Sequence, residues 1–200
     1  MNVDQFKGCA TALLTPFKNG EVDYDAYTKM VERQVAGGID FLVALGSTAE
    51  TPCLTDDEKV ALLDITISMA KGKPVVAGVG TNSLIHTIAN IKLLNAADAY
   101  LVVVPYYNKP NQRGMYEYFK AVAASTDKPI ILYNVPGRTS ANMSAQTVIK
   151  LSSIPNIIGI KEASGNLKQV ADIIFGAEKD FIALSGNDDQ TLDVITAGGH

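Results

Sequence analysis

Cysteine and histidine are scarce in this chain of 200 residues, with two of each: Cys9, Cys53, His86 and His200. No Cys-x-x-Cys pair occurs, which excludes a thiolate metal site of the usual spacing and fits a reducing compartment. His-x-x-x-His and His-Glu-x-x-His are also absent, so no protein-held transition metal is expected. Blocks of like charge are missing. The 17 basic and 21 acidic residues are scattered and leave a net charge of −4; without a basic stripe to track a phosphate backbone, no nucleic acid partner is expected. No apolar run approaches the roughly 18–20 residues that span a bilayer, so no membrane partner is expected. The opening stretch, Met1 to Lys7, contains no apolar signal core. A cytoplasmic protein is expected.

What is present is apolar and regular. At 47% hydrophobic residues the chain can bury a sizeable core. Near-continuous apolar, β-branched runs begin near Cys9, Phe41, Val75, Tyr100, Ile130, Ile157 and Phe181, spaced roughly 24–34 residues apart. Such runs mark parallel strands covered on both faces. Each is followed by a helical pattern with its own punctuation. Asp23 to Ala36 is one helix, ended by Gly37 and Gly38. Thr55 and Glu58 form a capping box, and Asn166 with Gln169 a weaker one. Ser83, Ser144 and Asp188 can cap three more helices, and Tyr116 to Ala124 is predicted helical.

Strict β/α alternation allows an open doubly wound sheet or a (β/α)8 TIM barrel. The run Gly78-Val79-Gly80-Thr81-Asn82-Ser83 begins like a dinucleotide fingerprint, but Ser83 stands at the third glycine position. The α/β barrel is therefore expected, with its site at the carboxyl ends of the strands. Seven β/α units are counted and the chain ends at His200. The expectation is one catalytic barrel domain over residues 1–200, truncated after the seventh unit, with the eighth strand lying outside the sequence.

The groups at the strand ends carry chemistry. Lys161 ends the apolar run from Asn156. An ammonium there costs free energy unless it is paired or deprotonated, and a neutral lysine attacks carbonyls to form Schiff bases; the alternative is a lysine snorkelling to water. After the second run come Gly46, Ser47, Thr48, Ala49, Glu50 and Thr51, whose hydroxyls and amides can hold a carboxylate, or simply cap a turn. Tyr106 and Tyr107 follow the fourth, as a pocket wall or an interface. Tyr133 and Arg138 follow the fifth: a phenol can shuttle protons and a guanidinium can clamp a carboxylate, though a capped turn with a surface arginine reads equally well. Gly186 follows the seventh, where a ligand can approach the backbone. Together these residues are the set a Schiff-base aldolase needs, and such chemistry requires no metal or cofactor because the protonated imine is the electron sink.

The run Tyr133-Asn134-Val135-Pro136-Gly137-Arg138-Thr139, with Gly159-Ile160-Lys161-Glu162-Ala163 beyond it, resembles the dihydrodipicolinate synthase family. So do Leu14-Thr15-Pro16-Phe17, the 46–51 turn, Pro105-Tyr106-Tyr107-Asn108 and Leu184-Ser185-Gly186. The resemblance covers essentially the whole chain. It implies a class I aldolase-type lyase that condenses pyruvate with L-aspartate 4-semialdehyde to 4-hydroxy-tetrahydrodipicolinate in lysine biosynthesis. Lys161 would form the imine. Tyr133, Ser47 and Tyr107 would form a proton relay, with Tyr107 reaching a neighbouring subunit. Thr48 would bind the pyruvate carboxylate and Arg138 that of the second substrate. It also implies a homotetramer, a dimer of dimers, and a carboxyl-terminal helical domain beyond the barrel.

Two departures stand out. Ala49 replaces the usual glycine and is tolerable only if the backbone there is not left-handed. Asn82 and Tyr106 match the family's lysine-feedback site, but Asp56, Lys59 and His86 do not, which points away from lysine inhibition. A related pyruvate lyase, such as N-acetylneuraminate lyase or a keto-deoxy-sugar aldolase, shares the lysine and tyrosine but would want neutral hydroxyl partners where Arg138 stands. A non-catalytic binding barrel or an inactive fragment is the remaining alternative.

Overall fold

The computed structural model describes residues 2–200; Met1, the start of the amino-terminal stretch read above, lies outside the described residues. The chain divides into two compact units, one of Asn2–Val79 with Asn90–Leu101, the other of Gly80–Ala89 with Val102–His200.

The first unit opens with β1 (Ala10–Ala12) and a hairpin of β2 (Phe17–Lys18) and β3 (Glu21–Val22). The hairpin turns on Asn19 (φ 55°) and Gly20 (φ 87°), the two left-handed positions that Asn-Gly accepts most readily. Then come α1 (Tyr24–Ala36), β4 (Phe41–Ala44), α2 (Asp56–Met69), β5 (Val75–Gly78), α3 (Leu84–Leu93) and β6 (Ala99–Val103), the last two elements being shared with the other unit. Parallel pairing runs Ala10↔Phe41, Leu42↔Val75 and Val76↔Ala99. Carboxylates fix the amino ends of these strands. Asp40 accepts from the Cys9 amide and Asp98 from the Val75 amide, each at 2.8 Å. Helix α1 begins on Asp23, which accepts from the Ala26 amide, and α2 carries the complete Thr55–Glu58 capping box. The buried Tyr27 hydroxyl meets Thr66 at 2.8 Å, and burial pushes the phenol's pKa up to about 12.

The second unit adds α4 (Gln112–Ala123), β7 (Ile130–Asn134), the single turn α5 (Pro136–Thr139), α6 (Ala145–Ser152), β8 (Ile157–Glu162), α7 (Leu167–Gly176), β9 (Ile182–Ser185) and α8 (Thr191–Thr196). Strands β7 and β8 pair in parallel from Ile130↔Ile157 to Asn134↔Glu162, and β8 and β9 from Gly159↔Ile182 to Glu162↔Ser185. The sheet strands follow one another in chain order, β1-β4-β5-β6-β7-β8-β9. This is an α/β fold with seven parallel strands in the β/α alternation of a TIM barrel, and the strand starts read from sequence fall within a residue of those observed.

Four local features differ from the expectation. The β2–β3 hairpin was not anticipated. Helix α4 starts at Gln112 rather than Tyr116, because the Asn111 side chain caps it by accepting from the Gly114 amide. Asn166 does cap α7, but Gln169 does not close the box; its amide turns inward to Glu162 and Asn142. Asp188 opens a short 3-10 turn, Asp188–Gln190, and caps nothing, since α8 begins after Gln190.

Gly159 lets β9 lie close against β8. A Cβ there would lie 2.6 Å from the Ile182 carbonyl oxygen and 2.9 Å from its Cβ. Gly159→Ala is expected to destabilise the fold by about 1–3 kcal/mol, the usual cost of overpacking, read as a lowered midpoint in urea denaturation.

Candidate active site

Lys161 is the fifth residue of β8 and is half-buried, whereas the strand before it, Ile157–Ile160, is fully buried. Its register partner on β7 is Tyr133, itself 6% exposed. The Lys161 Nζ sits over the Tyr133 ring, 4.8 Å from the centroid. The amine's pKa is lowered from the ordinary lysine value, first by burial; the Asp188 carboxylate raises it and the Arg138 guanidinium lowers it further. Burial penalises the charged form, so more of the amine is neutral at a given pH than for a lysine in water.

Gly186 closes the other side. Its amide donates to the Glu162 carbonyl oxygen at 2.7 Å, and a Cβ on it would stand 3.2 Å from Lys161 Cε and 2.7 Å from Ala163 Cβ. Only glycine leaves the lysine side chain this room. Arg138 is the third residue of α5, a turn that starts on Pro136 and ends on Ser140 in a left-handed conformation. The guanidinium is exposed, and its effect on Lys161 places it in electrostatic range. Tyr107 is 86% exposed and has a φ of 69°, a conformation uncommon for a bulky residue.

Ser47 and Thr48 belong to the first unit. They are exposed in a 3-10 turn, Ser47–Ala49, directly after β4. Leu45 (φ 57°) bends the chain before the turn and Glu50 (φ 54°) after it; Ala49 between them is buried and right-handed, so its methyl is accommodated. The turn is held at both ends, with the Thr15 hydroxyl donating to the Ala49 carbonyl at 2.8 Å and the Thr51 hydroxyl to that of Gly46 at 3.0 Å. Gly78 on β5 leaves space for the Leu45 carbonyl, which a Cβ would strike.

The second unit thus gathers Lys161, Tyr133, Gly186 and Arg138 about one amine. Asp188 was missed as a member of this set because an Asp after a strand reads as a helix cap. His86 lies on the exposed side of α3, as an ordinary helix-face residue does.

The family model "Dihydrodipicolinate synthetase family" matches residues 5–200. The chain belongs to this family. A curated relative from Koribacter versatilis, named 4-hydroxy-tetrahydrodipicolinate synthase, is 46% identical over 200 residues, covering 98% of this chain and 67% of its own length. Among solved structures, dihydrodipicolinate synthase from Thermotoga maritima superposes with a TM-score of 0.95 at 40% identity, with 98% of this chain and 68% of that one covered. A variant described as the first monomeric dihydrodipicolinate synthase gives the same TM-score, identity and coverage. The chain spans about two thirds of the length of each. No helix among the described residues is long and apolar enough to cross a membrane.

Two outcomes are expected from the site's electrostatics and packing. Lys161→Met, which keeps the bulk and removes the amine, should raise the melting temperature at pH 7. The sign follows from linkage. A lysine with a lowered folded-state pKa opposes folding fully below that pKa, and the opposition disappears as pH rises toward the unfolded value of about 10.4. The gain from methionine should therefore shrink from pH 7 to pH 10 in calorimetry. Gly186→Ala should displace the lysine and slow its reaction with carbonyl reagents by about tenfold or more, because small misplacements of a reacting group are costly.

Proposed function

We propose that this chain condenses pyruvate with L-aspartate 4-semialdehyde to form 4-hydroxy-tetrahydrodipicolinate, the activity for which its relatives are named, through an imine on Lys161. The observation that carries the proposal is a half-buried lysine with a lowered pKa, stacked 4.8 Å from the ring of a buried tyrosine, in a chain of this family. The neutral amine attacks the keto carbon of pyruvate, forming a C–N bond. Loss of the former carbonyl oxygen as water gives the protonated imine. Removal of a methyl proton gives the enamine, whose carbon bonds to the aldehyde carbon of the second substrate. That substrate's own amine then attacks the imine carbon, closes the ring and frees Lys161. Each step gains or sheds a proton, and Tyr133 is the group at hand to move it. No metal or cofactor takes part, because the imine nitrogen receives the electrons.

The remaining roles rest on the family resemblance and on position. Thr48 binds the pyruvate carboxylate and Ser47 joins Tyr133 in the proton relay. Tyr107 completes the relay of a neighbouring subunit in a homo-oligomer, a dimer of dimers; its exposure in the single chain favours such a reach. Gly186 lets the substrate approach the backbone. Arg138 takes the carboxylate of L-aspartate 4-semialdehyde, which favours this acceptor over the neutral hydroxyls of a sugar acid. The protein would work in the cytoplasm.

Adding pyruvate and sodium borohydride should fix one adduct, seen as a mass increase and mapped to Lys161. It should be absent in Lys161→Ala, and its absence from a folded wild-type sample would overturn the proposal. Arg138→Ala should lower kcat/KM for the aldehyde by about 100-fold while changing imine trapping by less than about threefold, as expected when a charge-assisted clamp acts on one substrate only. Equal loss of both steps would remove the role given to Arg138.

A further inference from the structure

Strand geometry gives the lysine and tyrosine a rear side. Tyr133 and Lys161 are register partners, and so are the next residues, Asn134 and Glu162. Successive residues of a strand face opposite ways, so the second pair lies behind the first. Glu162 is 4% exposed, yet among the described residues its carboxylate meets neutral donors. Asn134 Nδ2 lies 3.1 Å from both oxygens, Gln169 Nε2 3.1 Å from one, and the Ser164 amide 2.7 Å from the other.

The donors are themselves oriented. Asn134 Oδ1 accepts from the Met143 amide at 3.0 Å, and Gln169 Oε1 from Asn142 Nδ2 at 2.9 Å. Neither amide can flip without losing a bond. Asn134 Nδ2 also donates to Asn142 Oδ1 at 2.8 Å. The backbone of Glu162 holds the Gly186 amide, and Gly186 is the residue against which the Lys161 side chain rests. One carboxylate thus links the ends of β7 and β8, the start of α7 and, through Asn142 and Met143, the chain that follows Arg138.

We propose that Glu162 is a positioning residue, whose clasped carboxylate fixes the register and orientation of the β7–β8 ends that carry Tyr133 and Lys161. The proposal rests on the imine chemistry above. A buried carboxylate held by neutral donors is a poor source of stability compared with an apolar side chain of similar size. What it supplies is a single arrangement: both oxygens accept and every partner donates. A reacting group mounted on these strand ends loses rate steeply when displaced by about 1 Å.

The test compares Glu162→Gln with Asn156→Ala in the full chain. Glutamine keeps the shape but turns one acceptor into a donor facing donors. Asn156 stands at the other end of β8, where its amide holds the Ala123 and Thr126 carbonyls at 3.0 and 2.8 Å; its loss costs stability away from the site. Two quantities are read well below each variant's melting temperature. One is the rate of borohydride trapping with pyruvate. The other is the pH at which labelling of Lys161 by trinitrobenzenesulfonate is half-maximal, which reports the environment set by Tyr133, Arg138 and Asp188 and needs no pyruvate.

In Glu162→Gln, trapping should fall by about tenfold or more and the labelling midpoint should move up toward that of ordinary lysine. Asn156→Ala should keep both at wild-type values despite its lowered melting temperature. If Glu162→Gln retains both wild-type values, or Asn156→Ala loses as much, Glu162 has no positioning role. Should Glu162→Gln fail to fold, Gln169→Ala, which removes one donor from the α7 side, carries the same comparison with an effect of about threefold. If wild type labels at Lys161 but forms no pyruvate adduct, the imine chemistry fails and the labelling midpoint alone decides the case of Glu162.

Discussion

Consecutive residues of a strand point to opposite faces, and in the β7–β8 pair this sets Tyr133 beside Lys161 on one side and Asn134 beside Glu162 on the other. Much else in the second unit follows from that pairing. On the lysine side an apolar strand keeps water from the amine: Ile157, Ile158 and Ile160 are buried ahead of it. The rear side carries a polar anchor, and strands apolar on both faces lack the in–out alternation that otherwise sets register. Hydrogen bonds supply that anchor because they are directional, whereas burial alone is not.

Desolvation is the larger influence on the Lys161 amine, and two charges adjust it in opposite directions. Arg138 and Asp188 sit on the segments that follow β7 and β9, the strands flanking β8. Burial does not depend on salt, while the charge effects are screened as ionic strength rises. An amine whose neutral form is favoured chiefly by burial therefore keeps its character across conditions.

Much of this was legible in the sequence, for a physical reason. Continuous apolar runs such as Ile130–Leu132 and Val75–Ala77 are buried on both faces, so no tertiary context is needed to recognise them. Thr55 with Glu58 was readable because both halves of a capping box lie within one turn. The missed features depend on partners distant in the chain or on elements too short to show a period. The β2–β3 strands have two residues each, and their only signal was Asn19-Gly20. Gln169 stands where a capping box wants it, but the buried Glu162 carboxylate claims its amide. Asp188 could have capped a helix, and spatial proximity to an amine 27 positions earlier gives it a different part.

The turn after β4 obeys the same economy of backbone shape. A hydroxyl-bearing turn must leave its strand sharply, and here the left-handed residues are Leu45 and Glu50, neither of them glycine. Each costs about 1–2 kcal/mol relative to a right-handed residue. Such strain persists only where neighbours over-determine it. Gly78 yields space to the Leu45 carbonyl, while Thr15 and Thr51 bind the turn at Ala49 and Gly46. Placing the left-handed bends on either side of the turn leaves its middle right-handed, and that is why an alanine at position 49 fits without glycine's freedom.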